Sequence, residues 1–169
     1  MEPAIKLTIA LPGLQPLSVA LSRLRTDISD WTTFWTQRFA PFFYQNVLQD
    51  FVLEGGQSGE SWAPLSPGYA AWKQRVAPGA GLLVRTGLLK SSLTRPDGPE
   101  SVYRVTPTSL EIGTSVSYAM YHQMGTRRMP ARPPMRVNEA FMRVVGKDLQ
   151  AYVQETWQRR RAEAGSAAA

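Results

Sequence analysis

Few side chains of this chain could carry out acid–base or metal chemistry at neutral pH. Its 169 residues contain no cysteine and a single histidine, His122, and the 13 acidic residues are scattered along the sequence. One imidazole and no thiolate cannot form the usual zinc or transition-metal sites, and a carboxylate magnesium site needs clustered acids. We therefore expect no metal, no cofactor and no enzymatic activity.

His122 is the one candidate for a general acid or base near pH 7. No nucleophile elbow accompanies it, and Gly79-Ala80-Gly81 lacks the residues that complete a phosphate-binding loop. A small hydrolase that uses His122 stays open as an alternative. The pattern favours a structural or interface role for this histidine.

The clearest chemical signal is a basic, proline-rich run from Arg127 to Arg136, called the arm below. It contains four arginines and three prolines. Such a run is poorly suited to a buried core, and its prolines would hold it extended and lower the entropy lost on docking. The sequence therefore predicts an arm that meets a partner. The candidate contact residues are Tyr118, His122, Gly125, Thr126, Arg127, Arg128, Met129, Pro130, Arg132, Pro133, Pro134, Met135 and Arg136.

Two kinds of partner fit this arm. Its guanidinium groups could neutralise nucleic-acid phosphates, or they could pair with carboxylates of a neighbouring protein. Met124, Met129 and Met135 add adaptable apolar contacts. This mixture is more typical of a protein-docking segment than of a segment that reads bases.

Length and composition limit the remaining possibilities. The chain is of single-domain size, is 43% apolar, and carries a formal net charge of +6. That charge permits contact with nucleic acid or acidic protein surfaces. No apolar run reaches membrane-spanning length, no signal peptide is visible, and the lack of cysteine fits a reducing compartment. We expect one domain over residues 1–164 and a flexible tail over 165–169.

Hydrophobic periodicity predicts the elements of the N-terminal half. Residues 5–11 alternate as a half-buried strand does. Large apolar residues then recur with helical spacing from Leu17 to Trp35. Pro41 predicts a kink or break at Ala40, so residues 17–52 should form one bent helix or two consecutive ones. Gly55-Gly56 ends this region, and a polar linker follows to residue 61.

Capping and turn residues predict the elements of the C-terminal half. Ser66 and Thr86 should each cap a short helix. Residues 101–106 and 109–114 should form a hairpin, and residues 118–124 a short helix. Asn138 should cap a long final helix. The predicted fold class is α+β: a small antiparallel sheet packed with a long N-terminal helical segment and a long C-terminal helix, with the extended basic arm between elements.

Three sequence blocks, taken in order, resemble the virion-morphogenesis or tail-completion family of tailed bacteriophages. The first is W-x-P-L-S-x-x-Y from Trp62 to Tyr69, followed by Lys73. The second is L-x-R-T-G-x-L-x-x-S from Leu83 to Ser91. The third is I-G-T-x-x-x-Y-A-x-x-H-Q-x-G-T from Ile112 to Thr126, followed by M-P-A-R-P. The resemblance covers about residues 43 to 155, and residues 1–42 are less typical of the family.

The resemblance implies a small, non-enzymatic virion protein at the head–tail joining region. Such proteins assemble as rings, commonly sixfold, and contact neck, adaptor or tail-tube proteins, with DNA passing through the lumen. Residues 85–87 would form a structural turn and helix start. Tyr118, His122, Gly125 and Thr126 would position the arm, and residues 129–134 would reach a neighbouring subunit or ring. A nucleic-acid-binding accessory protein of phage assembly or DNA packaging is the alternative, favoured by the arm and the arginine triplet at 159–161.

Overall fold

The computed structural model describes residues 5–9 and 30–166, with the side chains given for residues 30–159. The helical stripe predicted from Leu17 to Ile28 lies outside the described residues. The architecture is α+β, which confirms the predicted fold class.

The sheet has three antiparallel strands in the order β1-β3-β2. These are β1 (Ile5–Ile9), β2 (Ser101–Val105) and β3 (Leu110–Thr114). The central strand β3 pairs Ile112 with Leu7 on one side and with Tyr103 on the other. Both strands of the predicted hairpin are present. The strand predicted over residues 5–11 is present over Ile5–Ile9, and residues 10 and 11 lie outside the described residues.

A continuous helical segment runs from Thr32 to Val52 through Pro41. It consists of α1 (Thr32–Phe34), a π-helical turn (Trp35–Phe39) and α2 (Ala40–Val52). Within it the amide of Ala40 donates to the carbonyl of Trp35, five residues back. Pro41 has no amide hydrogen to donate, and the change in hydrogen-bond spacing directly before it allows the helix to continue. Of the two alternatives predicted at Ala40, a break is therefore wrong, and one helical segment continues through Pro41.

The core lies between this segment, the sheet and the last helix. Trp35 and Phe43 are each 1% exposed, and Phe39 packs against Phe43 and Phe141 with ring centroids 6.2 and 6.0 Å apart. Trp31 is half-buried at the edge of this cluster, against Phe34 and Tyr152. Of the apolar stripe predicted from periodicity, Trp35 is thus in the core and Trp31 packs at its edge.

Two short helices connect the long segment to the hairpin. They are α3 (Pro67–Val76) and α4 (Leu88–Thr94). Ser66 occupies the predicted N-cap position of α3 in an extended conformation, with Pro67 as the first helical residue, although the Ser66 side chain makes no capping hydrogen bond. Gly87, and not the predicted Thr86, occupies the N-cap position before α4, at φ +81°, a conformation that L side chains rarely adopt. The helix start that the second sequence block implied is therefore confirmed.

The loop after α2 is tied down and is not the linker that its composition suggested. Asp50 is 3% exposed and accepts hydrogen bonds from the amide and the hydroxyl of Ser58, at 2.9 and 2.7 Å. Asn138 donates to the carbonyl of Ser58 at 3.0 Å. A short 3-10 turn (Gly56–Ser58) is thereby held against the start of the last helix.

The last two helices precede and follow the arm along the chain. They are α5 (Ala119–Met124) and α6 (Glu139–Ser166). The side chain of Asn138 accepts from the amide of Phe141 at 2.8 Å, so the predicted cap of α6 is confirmed. This helix continues to Ser166 and so includes the first two residues of the tail expected over 165–169.

Candidate docking cleft

The arm lies on its own chain, and Arg132 anchors it. The Arg132 side chain is 4% exposed. Its Nε donates to the carbonyl of Ala63 at 2.6 Å, and its Nη2 donates to the carbonyl of Pro64 at 2.7 Å. Burial of a charged side chain is favourable only when its donors are satisfied. The prediction that this run is unsuited to the interior is therefore wrong for Arg132, and also for Pro134 and Met135, which are buried as well.

Helix α5 holds the arm through backbone and side-chain contacts. The amide of Arg132 donates to the carbonyl of His122 at 2.8 Å. The amide side chain of Gln123 donates to the carbonyl of Met135 at 2.8 Å and accepts from the amide of Met135 at 3.3 Å. Gln123 therefore pairs with the arm as a neighbouring strand would. The third sequence block includes Gln123, but no role was predicted for it, although its amide group matches the donor and acceptor of one backbone unit.

Gly125 makes the close approach of the arm possible. It has φ +74°, and a Cβ placed on it would lie 2.7 Å from the amide nitrogen of Ala131 and 3.0 Å from the carbonyl oxygen of Met129. Both requirements exclude a side chain. The implied role of Gly125 in positioning the arm is supported by this geometry.

A tight turn at the start of the arm presents two arginines. The amide of Thr126 donates to the carbonyl of Met129 at 2.8 Å, and the hydroxyl of Thr126 accepts from the amide of Arg128 at 3.2 Å. Arg127 and Arg128 occupy the tip and are exposed. Neither guanidinium forms an ion pair within the described part of the chain.

The end of the arm is fixed to the loop before α3. The indole of Trp62 donates to the carbonyl of Pro133 at 3.1 Å. Arg136 forms an ion pair with Glu60 at 2.7 Å. Two of the four arm arginines, Arg132 and Arg136, are thus committed to partners in this chain, and Arg127 and Arg128 are the two that project from it.

The three sequence blocks line a common cleft of about 680 Å³. The first block contributes Pro64, Tyr69 and Lys73, and the second contributes residues 85–89. Helix α5 and the arm close the other side. Polar, charged and aromatic side chains in the lining include Tyr69, Lys73, Arg85, His122, Arg128 and Arg132. Residues separated by up to 68 positions in the sequence therefore form a shared surface.

The interior of the cleft is electropositive. Lys73 is 4% exposed and donates to the carbonyls of Gly81 and Leu82. Burial lowers the pKa of Lys73, Glu54 opposes that shift, and Arg132 adds to it. Burial also lowers the pKa of His122, and Arg132 lowers it further. His122 is therefore held neutral near pH 7, and its buried Nδ1 atom has no hydrogen-bond partner among the described residues.

An apolar surface adjoins the mouth of the cleft. Tyr69, Tyr118 and Tyr121 line the cleft and are 45%, 37% and 53% exposed. Tyr118 meets His122 edge-on, with ring centroids 6.0 Å apart. Met120 and Met124 lie one turn apart on α5 and are 46% and 75% exposed. Aromatic and methionine side chains beside arginines are typical of protein-binding surfaces.

Fold and cleft together describe a small α+β protein with a cleft lined by basic and aromatic side chains. Residues 13–154 match the sequence model of the phage virion morphogenesis family, so the chain belongs to this family. The match begins at residue 13, so most of the N-terminal region that we expected to be less typical lies within it. A search of the curated proteins found no significant match, and a search of the solved structures also found none.

The described residues contain neither a membrane-spanning helix nor a metal-binding cluster. No described helix has the length and apolar character needed to cross a membrane. Histidine, cysteine and acidic side chains do not gather into a group of three that could hold a metal ion anywhere in the described ranges.

Proposed function

We propose that this protein completes the tail or neck of a tailed phage and helps to join the tail to the head. In this proposal it is a structural subunit without enzymatic activity, and it resides in the virion at the head–tail joining region. Family membership gives a role in virion assembly. The finer role is supported by the resemblance of the three sequence blocks, which line one cleft and so form a shared surface for recognition.

A ring of identical subunits, commonly sixfold in proteins of this type, is part of the proposal. A ring forms when one surface of a subunit binds a different surface of the next one. Exposed apolar side chains on two separate helices support this arrangement. Met124 on α5 is 75% exposed, and Trp157 on α6 is 50% exposed. The other contacts would be made to neck, adaptor or tail-tube proteins.

The observation that carries this proposal is the exposed apolar face of α5 beside the basic cleft. Monomeric proteins rarely leave such faces uncovered. The test is electron microscopy of lysates from a phage that lacks this gene. DNA-filled heads beside unattached or misshapen tails are expected. Normal infectious particles would contradict the proposal.

DNA binding is a second candidate function, favoured by the exposed pair Arg127 and Arg128. Binding that weakens with salt, with a slope that decreases when these arginines become alanine, would support it. Only these two of the four arm arginines project from the chain. We therefore expect a shallow salt dependence, and no binding at low salt would exclude this function.

A further inference from the structure

The cleft contains a buried guanidinium group, that of Arg132, with which no carboxylate of the described chain forms an ion pair. Lys73 and Arg132 are each 4% exposed, and both donate to neutral backbone carbonyls. Neither forms an ion pair among the described residues. The Glu54 carboxylate nevertheless favours the charged form of Lys73, so Arg132 is the cation to which an anion would bind. Buried charges are usually paired with an opposite charge, because removal from water is costly. This cleft therefore has a place for an anion.

Arg132 provides the specific contact point. Its Nε and Nη2 atoms face the carbonyls of Ala63 and Pro64, whereas its Nη1 atom makes no hydrogen bond with the described residues. The guanidinium is fixed on one edge and lines the cleft. A planar group held in this way offers its remaining donors to a carboxylate in a defined direction.

The lining favours a carboxylate carried by a peptide. Four lining side chains are cationic, namely Lys73, Arg85, Arg128 and Arg132, and no acidic residue is among the described lining. Tyrosine, leucine and proline side chains separate these charges. A single carboxylate with apolar neighbours can enter such a site. Nucleic acid fits this lining less well, because several adjacent phosphates would lose their bound water against the same apolar surface, and that desolvation is costly.

This chain is poorly suited to supply the occupant itself. It carries a net charge of +6, and no two of its 13 acidic residues are adjacent in the sequence. Charge complementarity therefore points to a different protein that presents an acidic, extended segment.

We propose that the cleft binds an extended acidic segment of another virion protein, with one carboxylate on Arg132 and flanking apolar side chains against Tyr69 and Tyr121. Arg85 and Arg128 are exposed at the cleft and attract the acidic segment. The inference rests on the proposed function only for the identity of the partner as a virion component.

The test uses purified full-length protein and a defined probe. The probe is an acetylated, amidated octapeptide in which aspartate alternates with leucine, and the control peptide carries asparagine in place of aspartate. Binding is followed by NMR through the Nε–H signal of Arg132 and the amide signal of Tyr69. The aspartate peptide should shift both signals saturably. The affinity of the asparagine peptide should be lower by a factor of about ten or more.

Charge-reversal variants assign the contacts. Arg85→Glu and Arg128→Glu should each weaken binding of the aspartate peptide about tenfold. Arg127→Glu is the matched control, because Arg127 lies on the same turn but does not line the cleft, and it should leave binding nearly unchanged.

Four outcomes would overturn the inference. These are no shift at millimolar peptide, equal binding of both peptides, tighter occupation by a thymidine oligonucleotide, and the same shifts caused by protein concentration alone, which would indicate a second copy of this chain. Because binding is measured without virions, failure here is distinguishable from failure of the head–tail joining role, which the deletion phage tests.

Discussion

The Nη2 atom of Arg132 lies 2.7 Å from the carbonyl oxygen of Pro64, so the third sequence block is bonded directly to the first. The two residues are 68 positions apart. The contact buries a charged side chain and gives the arm a fixed path across the domain. The sequence predicted an exposed arm, whereas in the structure the arm packs on its own chain and forms one side of the cleft.

Replacement of Arg132 tests whether this anchor stabilises the fold. Arg132→Met removes two charge-assisted hydrogen bonds and leaves the carbonyls of Ala63 and Pro64 without their donor. We expect the free energy of unfolding to fall by about 2–4 kcal/mol. Urea denaturation followed by fluorescence measures it. Arg127→Met at the exposed turn tip is the control and should change stability by less than about 0.5 kcal/mol. Equal effects of the two variants would show that the anchor contributes nothing.

Gly125 is expected to tolerate no side chain. Gly125→Ala combines φ +74° with a contact of 2.7 Å to the amide nitrogen of Ala131, and we expect a loss of about 1–3 kcal/mol. Gly146→Ala is the matched control. Gly146 lies inside α6 with open space around it, so alanine there should stabilise by about 0.5–1 kcal/mol. Thermal unfolding of both variants gives the comparison, and a neutral Gly125→Ala would contradict the proposed packing of the arm.

Replacement of Trp35 and of Trp157 compares the stability effect of a buried tryptophan with that of an exposed one. Trp35→Ala should lower the free energy of unfolding by about 3–5 kcal/mol, because the ring is 1% exposed and packs on Phe34 and Phe39. Trp157→Ala, at a 50% exposed position, should cost much less in stability. If α6 contributes a ring interface, Trp157→Ala should instead reduce assembly, measured by analytical ultracentrifugation. If Trp157→Ala lowered the free energy of unfolding strongly and Trp35→Ala did not, the assignment of Trp35 to the core and Trp157 to the surface would be contradicted.

His122 should make stability depend on pH. Its folded-state pKa is lowered from 6.5 by burial and by Arg132, so the unfolded chain takes up a proton more readily than the folded one. The contribution of His122 to stability is full above about pH 6.5 and decreases as pH falls through that value towards the folded-state pKa. His122→Gln should reduce the loss of stability between pH 7.5 and 5.5. An unchanged loss would show that His122 titrates alike in both states.

Local sequence signals predicted the elements better than their arrangement. The alternation in β2 and β3 and the cap at Asn138 depend on near neighbours in the sequence, and the structure confirms them. The sequence left a kink and a break at Pro41 as alternatives, because it does not reveal the π-helical turn that supplies a different hydrogen-bond pattern there. Composition could not show this local change.

In the cleft, too, local sequence patterns did not reveal contacts between residues that are distant in the sequence. A basic, proline-rich composition predicts exposure, and Arg127 and Arg128 are exposed. Burial of Arg132 depends on two carbonyls far away in the sequence, which no local pattern reveals. Lys73 and Tyr69 were noted as parts of a motif, and only the fold places them in the same cleft as the arm.

The proposed joining role is tested most directly by cryo-electron microscopy of purified virions, with this chain fitted to the density at the head–tail joint. We expect a closed ring of copies at that position, with the cleft of each subunit occupied by a segment of a neighbouring virion protein. Complete particles that lack this chain at the joint would contradict the account.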